Sequence, residues 1–378
     1  MITFNKPYLT GNETEYIKQA VLNLKISGDG LFTKKCHQFF ESKYNFKKVL
    51  LTTSCTDALE MAAILLDIKP GDEVIAPSYT FVSTVNAFVL RGAEIVFVDS
   101  DKRNPNLDID KIEALITTKT KVIVPVHYAG IACDMDKLMA LANKHNLFVV
   151  EDAAQAIDSF YKGKPLGSIG HLAAFSFHET KNIISGEGGM LVINSDELVS
   201  RAEIIREKGT NRSAFFRGEV DKYGWVDIGS SFLPSDIIAA FLFSQIENLD
   251  DIQKKRLSIW HNYYNGLKTL ETQNKVALPV IPDFASNNAH MFYLVCNSLK
   301  ERTELIAHLK NEGIHAVFHY LSLNKSPYYL SSLNNAPAEN LENSDRYTDT
   351  LIRLPLYYEL STEDQSKVIS SILSFYSK

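Results

Sequence analysis

Cysteine is scarce: four in 378 residues, at Cys36, Cys55, Cys133 and Cys296, with no CxxC pair. That spacing excludes a zinc cluster, and four scattered thiols are expected to stay reduced in a cytoplasmic protein. No window approaches the roughly 20 apolar residues of a membrane span. The opening MITFNKPYLTGNETEY has no apolar core of signal-peptide length. Charge of one sign is also in short supply: 39 Lys+Arg against 45 Asp+Glu leaves −6. That balance excludes a general nucleic-acid surface but not a local basic pocket for phosphate. A soluble, cytoplasmic protein that binds neither nucleic acid nor membrane is expected. No GxGxxG follows the first predicted strand, which argues against a nicotinamide dehydrogenase.

Short β-branched apolar runs alternate with helical patterns from residue 48 onward. The runs at 48–54, 73–79, 94–100, 121–128, 147–154, 173–179 and 189–194 predict strands, with helices over 56–68, 80–92 and 135–146. Continuous apolar strands interleaved with helices predict an α/β fold with a mostly parallel sheet covered on both faces. From Ser235 one long helix, or two in series, leads into HMFYLVC, TELIAHLKNEGI, HAVFHYLSL and STEDQSKVISSILSFYS. This β-α-β-α tail predicts a smaller α+β domain. The division expected is 1–250 for the large domain and 251–378 for the small one, with about 30 N-terminal residues packing near the latter. PDFASNNAH and the 331–345 stretch read as surface loops.

Ligands of open α/β sheets sit at the carboxyl ends of the strands. SCTDAL (54–59) follows the first strand and opens a helix, a place where backbone N–H groups and the helix dipole favour phosphate. Ser54 or Thr56 as an ordinary helix cap is the plainer reading. Asp152 ends an apolar strand, where a lone buried carboxylate is costly. Facing a pyridine nitrogen it would keep that ring protonated, and a salt bridge is the alternative. Lys181 precedes a Gly-rich turn, SGEGG, and a partly desolvated lysine there can capture an aldehyde. It can equally be a surface lysine. Phe81 offers a stacking face, or plain core packing. Taken together they supply a phosphate cradle, a stacking face, a pyridinium partner and an aldehyde-capturing amine.

EDAAQA, the lysine after FSFHETK and the following GEGG resemble the nucleotide-sugar aminotransferases of the DegT/StrS family, and the resemblance runs from FNKPYLTGNE to RLPLYYELS. It implies the fold-type I aminotransferase architecture: a large domain with a mostly parallel seven-stranded sheet and a smaller C-terminal α+β domain. It implies pyridoxal 5'-phosphate as cofactor, with Lys181 as the lysine bonded to it and Asp152 on its pyridine nitrogen. Gln155 would meet the ring hydroxyl and Phe81 the ring face. Ser54, Cys55, Thr56, Asp57 and Ser176 would hold the phosphate, with Ser231 arriving from a partner subunit. Substrate contacts are implied at His127, Tyr128, His178, Arg212, His319 and Tyr320. The segments KGTNRSAFFRGEVDKY and DIGSS resemble members that aminate dTDP-4-keto-6-deoxy-D-glucose. The implied product is dTDP-4-amino-4,6-dideoxy-D-galactose for surface polysaccharide, with L-glutamate as donor and a homodimer completing the site.

Three positions depart from the family pattern: Cys55 stands where a glycine is usual, Ser231 where an asparagine crosses between subunits, and Asn324 where a histidine is common. Asn211 or Arg212 are the substitutes for the missing asparagine. The family's dehydratase branch carries histidine in place of the lysine, so Lys181 argues against it. The gluco epimer, a 3-keto substrate and a non-catalytic sugar-nucleotide binder are the alternative readings.

Overall fold

A computed structural model describes residues 1–332 and 339–377. All seven predicted runs form strands: β1 (Lys48–Thr52), β2 (Glu73–Pro77), β3 (Glu94–Val98), β4 (Thr120–Ile123), β5 (Phe148–Asp152) and, after the hairpin β6 (Phe160–Tyr161) and β7 (Lys164–Pro165), β8 (Leu172–Ser176) and β9 (Gly189–Ile193). They build one sheet in the order β1-β9-β8-β5-β4-β2-β3. Only β9 runs against its neighbours.

Side chains alternate across the sheet, as strand geometry requires. Val49, Leu51, Ile75, Ala173 and Phe175 face one apolar cluster. Leu50, Val74, Ala76, Leu172 and Ala174 face the other. Helices α1 (Glu13–Leu22), α2 (Leu31–Tyr44), α5 (Met135–His145) and α8 (Asp236–Glu247) cover the first face; α3 (Cys55–Leu65), α4 (Ser83–Val89) and α6 (Asp196–Arg206) cover the second. Between α6 and α8, α7 (Arg212–Phe216) is a short helix with no buried side chain. Each fully enclosed Leu, Val or Phe contributes about 1.5–3 kcal/mol.

The stretch after Ser235 is two helices, α8 and α9 (Leu249–Thr272), interrupted at Asn248, whose side chain donates to the Ser244 carbonyl at 2.9 Å. A third apolar cluster joins α9, α10 (Leu299–Asn311) and α13 (Thr362–Tyr376) to the antiparallel pair β10 (Phe292–Val295) and β11 (Leu351–Leu354). HAVFHYLSL, expected as a strand, makes only an isolated bridge at Val317, to Arg353. The neighbours His319 and Tyr320 stack on each other, with ring centroids 3.5 Å apart. Strand alternation would send them to opposite faces. The second strand of the pair comes instead from Leu351–Leu354.

Two loop expectations also change. Within 331–345, residues 331–332 end α11 (Pro327–Ser332) and α12 (Glu342–Thr350) begins at 342, while 333–338 lie outside the described residues. PDFASNNAH is irregular but dives inward, because the Asn288 amide donates to the carbonyls of Gln155 and Ile157 at 2.8 Å each. The C-terminal segment also returns to the large sheet: Ser344 donates from its amide (2.9 Å) and hydroxyl (3.0 Å) to Asp99, just past β3. The N-terminus is also bound to the C-terminal part of the chain. Ile2 exchanges backbone hydrogen bonds with Gly313 and His315, and Tyr8 stacks on Tyr358 at 3.8 Å. Among the described residues no helix is long and apolar enough to cross a membrane.

Candidate active site

A cavity of about 720 Å³ opens at the carboxyl edge of the sheet. Its floor exists because β9 is antiparallel. The start of β9, Gly189, pairs with the ends of both β1 and β8, opposite Thr52 and Ser176. A Cβ on Gly189 would lie 2.5 Å from the Cys55 amide nitrogen. Glycine there lets the N-terminus of α3 settle against the sheet. The Ser54 hydroxyl caps this helix by accepting from the Asp57 amide at 3.0 Å. The amides of Cys55 and Thr56 lie in the first turn, which has no intrahelical acceptor, and so remain for an anion. Ser176 faces the same space, and Thr56 donates to the Ser83 hydroxyl at 2.8 Å.

Asp152 ends β5 at the cavity wall, 6% exposed. It accepts from the Thr84 hydroxyl at 2.7 Å and from the Ala154 amide at 3.1 Å. Burial raises its pKa, and these two hydrogen bonds act against that rise. Lys181 sits beyond β8, its backbone amide donating to the His178 carbonyl at 2.9 Å. Burial lowers the pKa of its amine and the Arg353 charge adds to this, while Cys55 and Asp152 pull the other way. An amine so placed spends more time unprotonated and nucleophilic. Burial, with Asp152 nearby, pushes the Cys55 thiol well up, so it stays protonated. Phe81 presents an exposed ring to the cavity, and Tyr320 lies 6.2 Å from it. Gln155 is held by its carbonyl, which accepts from the Ala129 amide at 2.6 Å, and by its amide group, which donates to the Tyr320 hydroxyl at 3.0 Å.

Thus Ser54, Cys55, Thr56, Phe81, Asp152, Gln155, Ser176, His178, Lys181, His319 and Tyr320 share one cavity. Several others do not. Asp57 turns away to accept from the Thr53 hydroxyl. His127 is wholly enclosed behind the wall, 2.9 Å from Glu151, and is a structural residue. Tyr128 is buried with its hydroxyl 2.7 Å from His319 Nδ1, so it supports a cavity residue without reaching the cavity itself. Asn324 is buried and bonded to Ser78 and the Glu339 carbonyl. Arg212 and Ser231 line a separate cavity, together with Lys25, Lys48 and Arg206, and within one chain they do not meet Lys181. Asn211 accepts from the Gly224 amide at 2.8 Å.

Sequence reasoning missed Thr84, His290, Phe4 and Arg353. Arg353 had a visible signal, a lone cation inside the apolar run LIRLPL. Phe4 had none, because only the docking of the N-terminal segment brings it to the cavity.

The sheet, the buried acid and the amine define an α/β enzyme of the fold-type I aminotransferase class. The model of the DegT/DnrJ/EryC1/StrS aminotransferase family matches residues 7–373, and the chain belongs to that family. The spore coat polysaccharide biosynthesis protein SpsC of Bacillus subtilis is 35% identical over 89% of this chain and 88% of its own length. A GDP-perosamine synthase of Escherichia coli O157:H7 is 33% identical over 98% of each chain. Spr1654 of Streptococcus pneumoniae, solved in PMP, PLP and apo forms, superimposes in its PMP form with a TM-score of 0.92 at 26% identity, over 100% of this chain and 99% of that one.

Proposed function

We propose that this enzyme transfers the amino group of L-glutamate to C4 of dTDP-4-keto-6-deoxy-D-glucose, giving dTDP-4-amino-4,6-dideoxy-D-galactose for surface polysaccharide. The observation that carries the reading is the convergence of Lys181, Asp152 and the α3 N-terminus on one cavity. Pyridoxal 5'-phosphate is the cofactor, and the donor set fits it. The first turn of α3 with Ser176 would receive the phosphate, Asp152 the protonated ring nitrogen, Gln155 the ring hydroxyl and Phe81 the ring face. Lys181 supplies the amine that the aldehyde requires.

When bound, the cofactor supplies an electron sink for the pair left on the donor's α-carbon. Asp152 would lie opposite the ring nitrogen and hold a proton there. Lys181, once free, takes the proton from the donor's α-carbon. In the second half it delivers a proton to C4 of the sugar. Positioned proton transfer of this kind is worth roughly 10²–10⁴-fold. The buried wall around Lys181 lowers the pKa of its amine, which favours the base form. Arg212 and Ser231 reach the site of a second subunit in a homodimer.

A second reading has one specific support: GDP-perosamine synthases are similar along nearly the whole chain. It keeps the chemistry at C4 and exchanges dTDP for GDP. Incubation of the loaded enzyme with L-glutamate and either dTDP-4-keto-6-deoxy-D-glucose or a GDP-linked 4-keto-6-deoxy sugar separates the two. Proton NMR then reports the product. With the dTDP sugar, a small coupling between H3 and H4 means an axial amine and the galacto product; a large coupling means the gluco epimer. Absence of aminated sugar from either, with cofactor bound, would exclude 4-keto sugars.

A further inference from the structure

His290 offers the Lys181 cavity an acceptor that cannot become a donor. It lies just before β10, 8% exposed, and lines the cavity together with Lys181. Its Nδ1 is 2.9 Å from Oδ1 of Asn182, the residue after Lys181. One contact fixes the orientation of that amide. Its nitrogen is 2.8 Å from the backbone carbonyl of Asn288, which can only accept, and 2.8 Å from the Gln253 side-chain oxygen. The amide oxygen therefore faces His290, and Nδ1 must carry the ring proton. Nε2 is left as a lone pair. Burial, with the charges of Lys181, Arg256 and Arg353, lowers the pKa of the ring well below its usual value, so the ring stays neutral. Among the described residues no donor reaches Nε2, and no side chain accepts from the Lys181 amine.

We infer that Nε2 of His290 accepts a hydrogen bond from the Lys181 amine once that amine is free, and so holds it in place for proton transfer. His290 is then a positioning residue. The inference rests on the reading of Lys181 as the proton carrier and deepens it. Asn182 ties the imidazole to the backbone one residue from the lysine, so the lone pair and the amine share one frame. Asp152, which also pulls on Lys181, is engaged by Thr84 and the Ala154 amide. A neutral lone pair steadies the amine, and the ammonium formed when it takes a proton, without adding a charge. A second carboxylate would raise the pKa of the amine further and blunt it as a base. The other titratable groups that face the pair are Cys55, Arg353, Arg256 and His319.

Two variants separate the two ring nitrogens. H290N keeps an amide near the place of Nδ1 and loses the acceptor. H290Q keeps an acceptor near the place of Nε2. Each holoenzyme is followed by the cofactor's absorbance, one half-reaction at a time, with L-glutamate and with α-deuterated L-glutamate. In H290N the saturating rate is expected to fall about 10- to 100-fold, the worth of one hydrogen bond to a charged group, and the deuterium isotope effect to rise. The half-reaction with the keto sugar nucleotide should slow as well, because the same amine delivers the proton. Binding of α-methyl-L-glutamate, which has no α-proton to lose, should not change. H290Q should recover part of the rate. Nitrogen NMR of histidine-labelled apoenzyme should show the His290 ring neutral, with its proton on Nδ1, as pH falls through the usual histidine range. A ring protonated in that range, or carrying its proton on Nε2, would overturn the assignment. So would a wild-type rate in H290N, a loss confined to binding, or a loss confined to the sugar half. If Lys181→Ala removed the α-proton as fast as wild type, the reading of Lys181 would fall, and this inference with it.

Discussion

The Thr84 hydroxyl donates to the carboxylate of Asp152 at 2.7 Å, across 68 residues of sequence. It is one of two hydrogen bonds that hold a buried acid toward its ionised form. Thr84→Val keeps the shape and removes the donor. The Asp152 pKa should then rise further, and the acid limb of the kcat/KM profile should move to higher pH. A profile identical to wild type would show that Thr84 does not tune Asp152.

Lys181→Ala should abolish steady-state transamination while the protein folds and still binds pyridoxal phosphate, now removable by dialysis. The expected fall is at least roughly 10²-fold, the lower end of positioned proton transfer. Normal turnover by this variant, checked against a circular dichroism spectrum like wild type, would remove Lys181 from the mechanism.

Glu151 precedes Asp152 on β5 and points the other way. Its buried carboxylate accepts from the amides of Gly167, Ile169 and Gly170 at 2.6–2.9 Å and meets His127 at 2.9 Å. Glu151→Ala strands His127 and three amides, and should cost about 3–5 kcal/mol in denaturant unfolding. His127→Ala should lose less, since the three amides keep their acceptor.

His37 accepts from the Leu51 amide at 2.9 Å, which requires a neutral ring nitrogen, and burial lowers its pKa to about 3. Its ordinary value is 6.5. Between pH 6.5 and 3 the unfolded chain binds a proton that the folded one refuses. Stability therefore falls as pH falls through that window. His37→Gln should flatten this part of the stability curve, measured by urea unfolding at several pH values.

The separate cavity holding Arg212 and Ser231 is beside exposed apolar side chains, among them Phe216, Trp225 and Ile26. Sedimentation should give about twice the chain mass of 42.5 kDa. Ser231→Ala should weaken cofactor retention only if that residue reaches the partner's site. A monomer that is fully active would contradict the shared site.

The large sheet was legible because its strands are continuous β-branched runs between helical patterns, and both signals are local. Lys181, Asp152 and the SCTDAL turn were legible for a related reason: each breaks its local pattern at a strand end. His127 breaks a pattern too, yet its partner is Glu151 behind the wall, and sequence position alone could not separate the two sides of the strand.

The sequence by itself determined the class of fold and pointed to the acid and the amine that line the cavity at the carboxyl edge of the sheet. Tertiary structure alone decided which polar residues share the cavity. It turned Asp57, His127 and Asn324 aside, brought Phe4 and Arg353 to the cavity, and set Thr84 behind Asp152. Alternation along a strand fixes a face, but only the packing of distant segments fixes what that face meets. Phe4 and Arg353 are 349 positions apart, yet they touch because the N-terminal segment docks against β11.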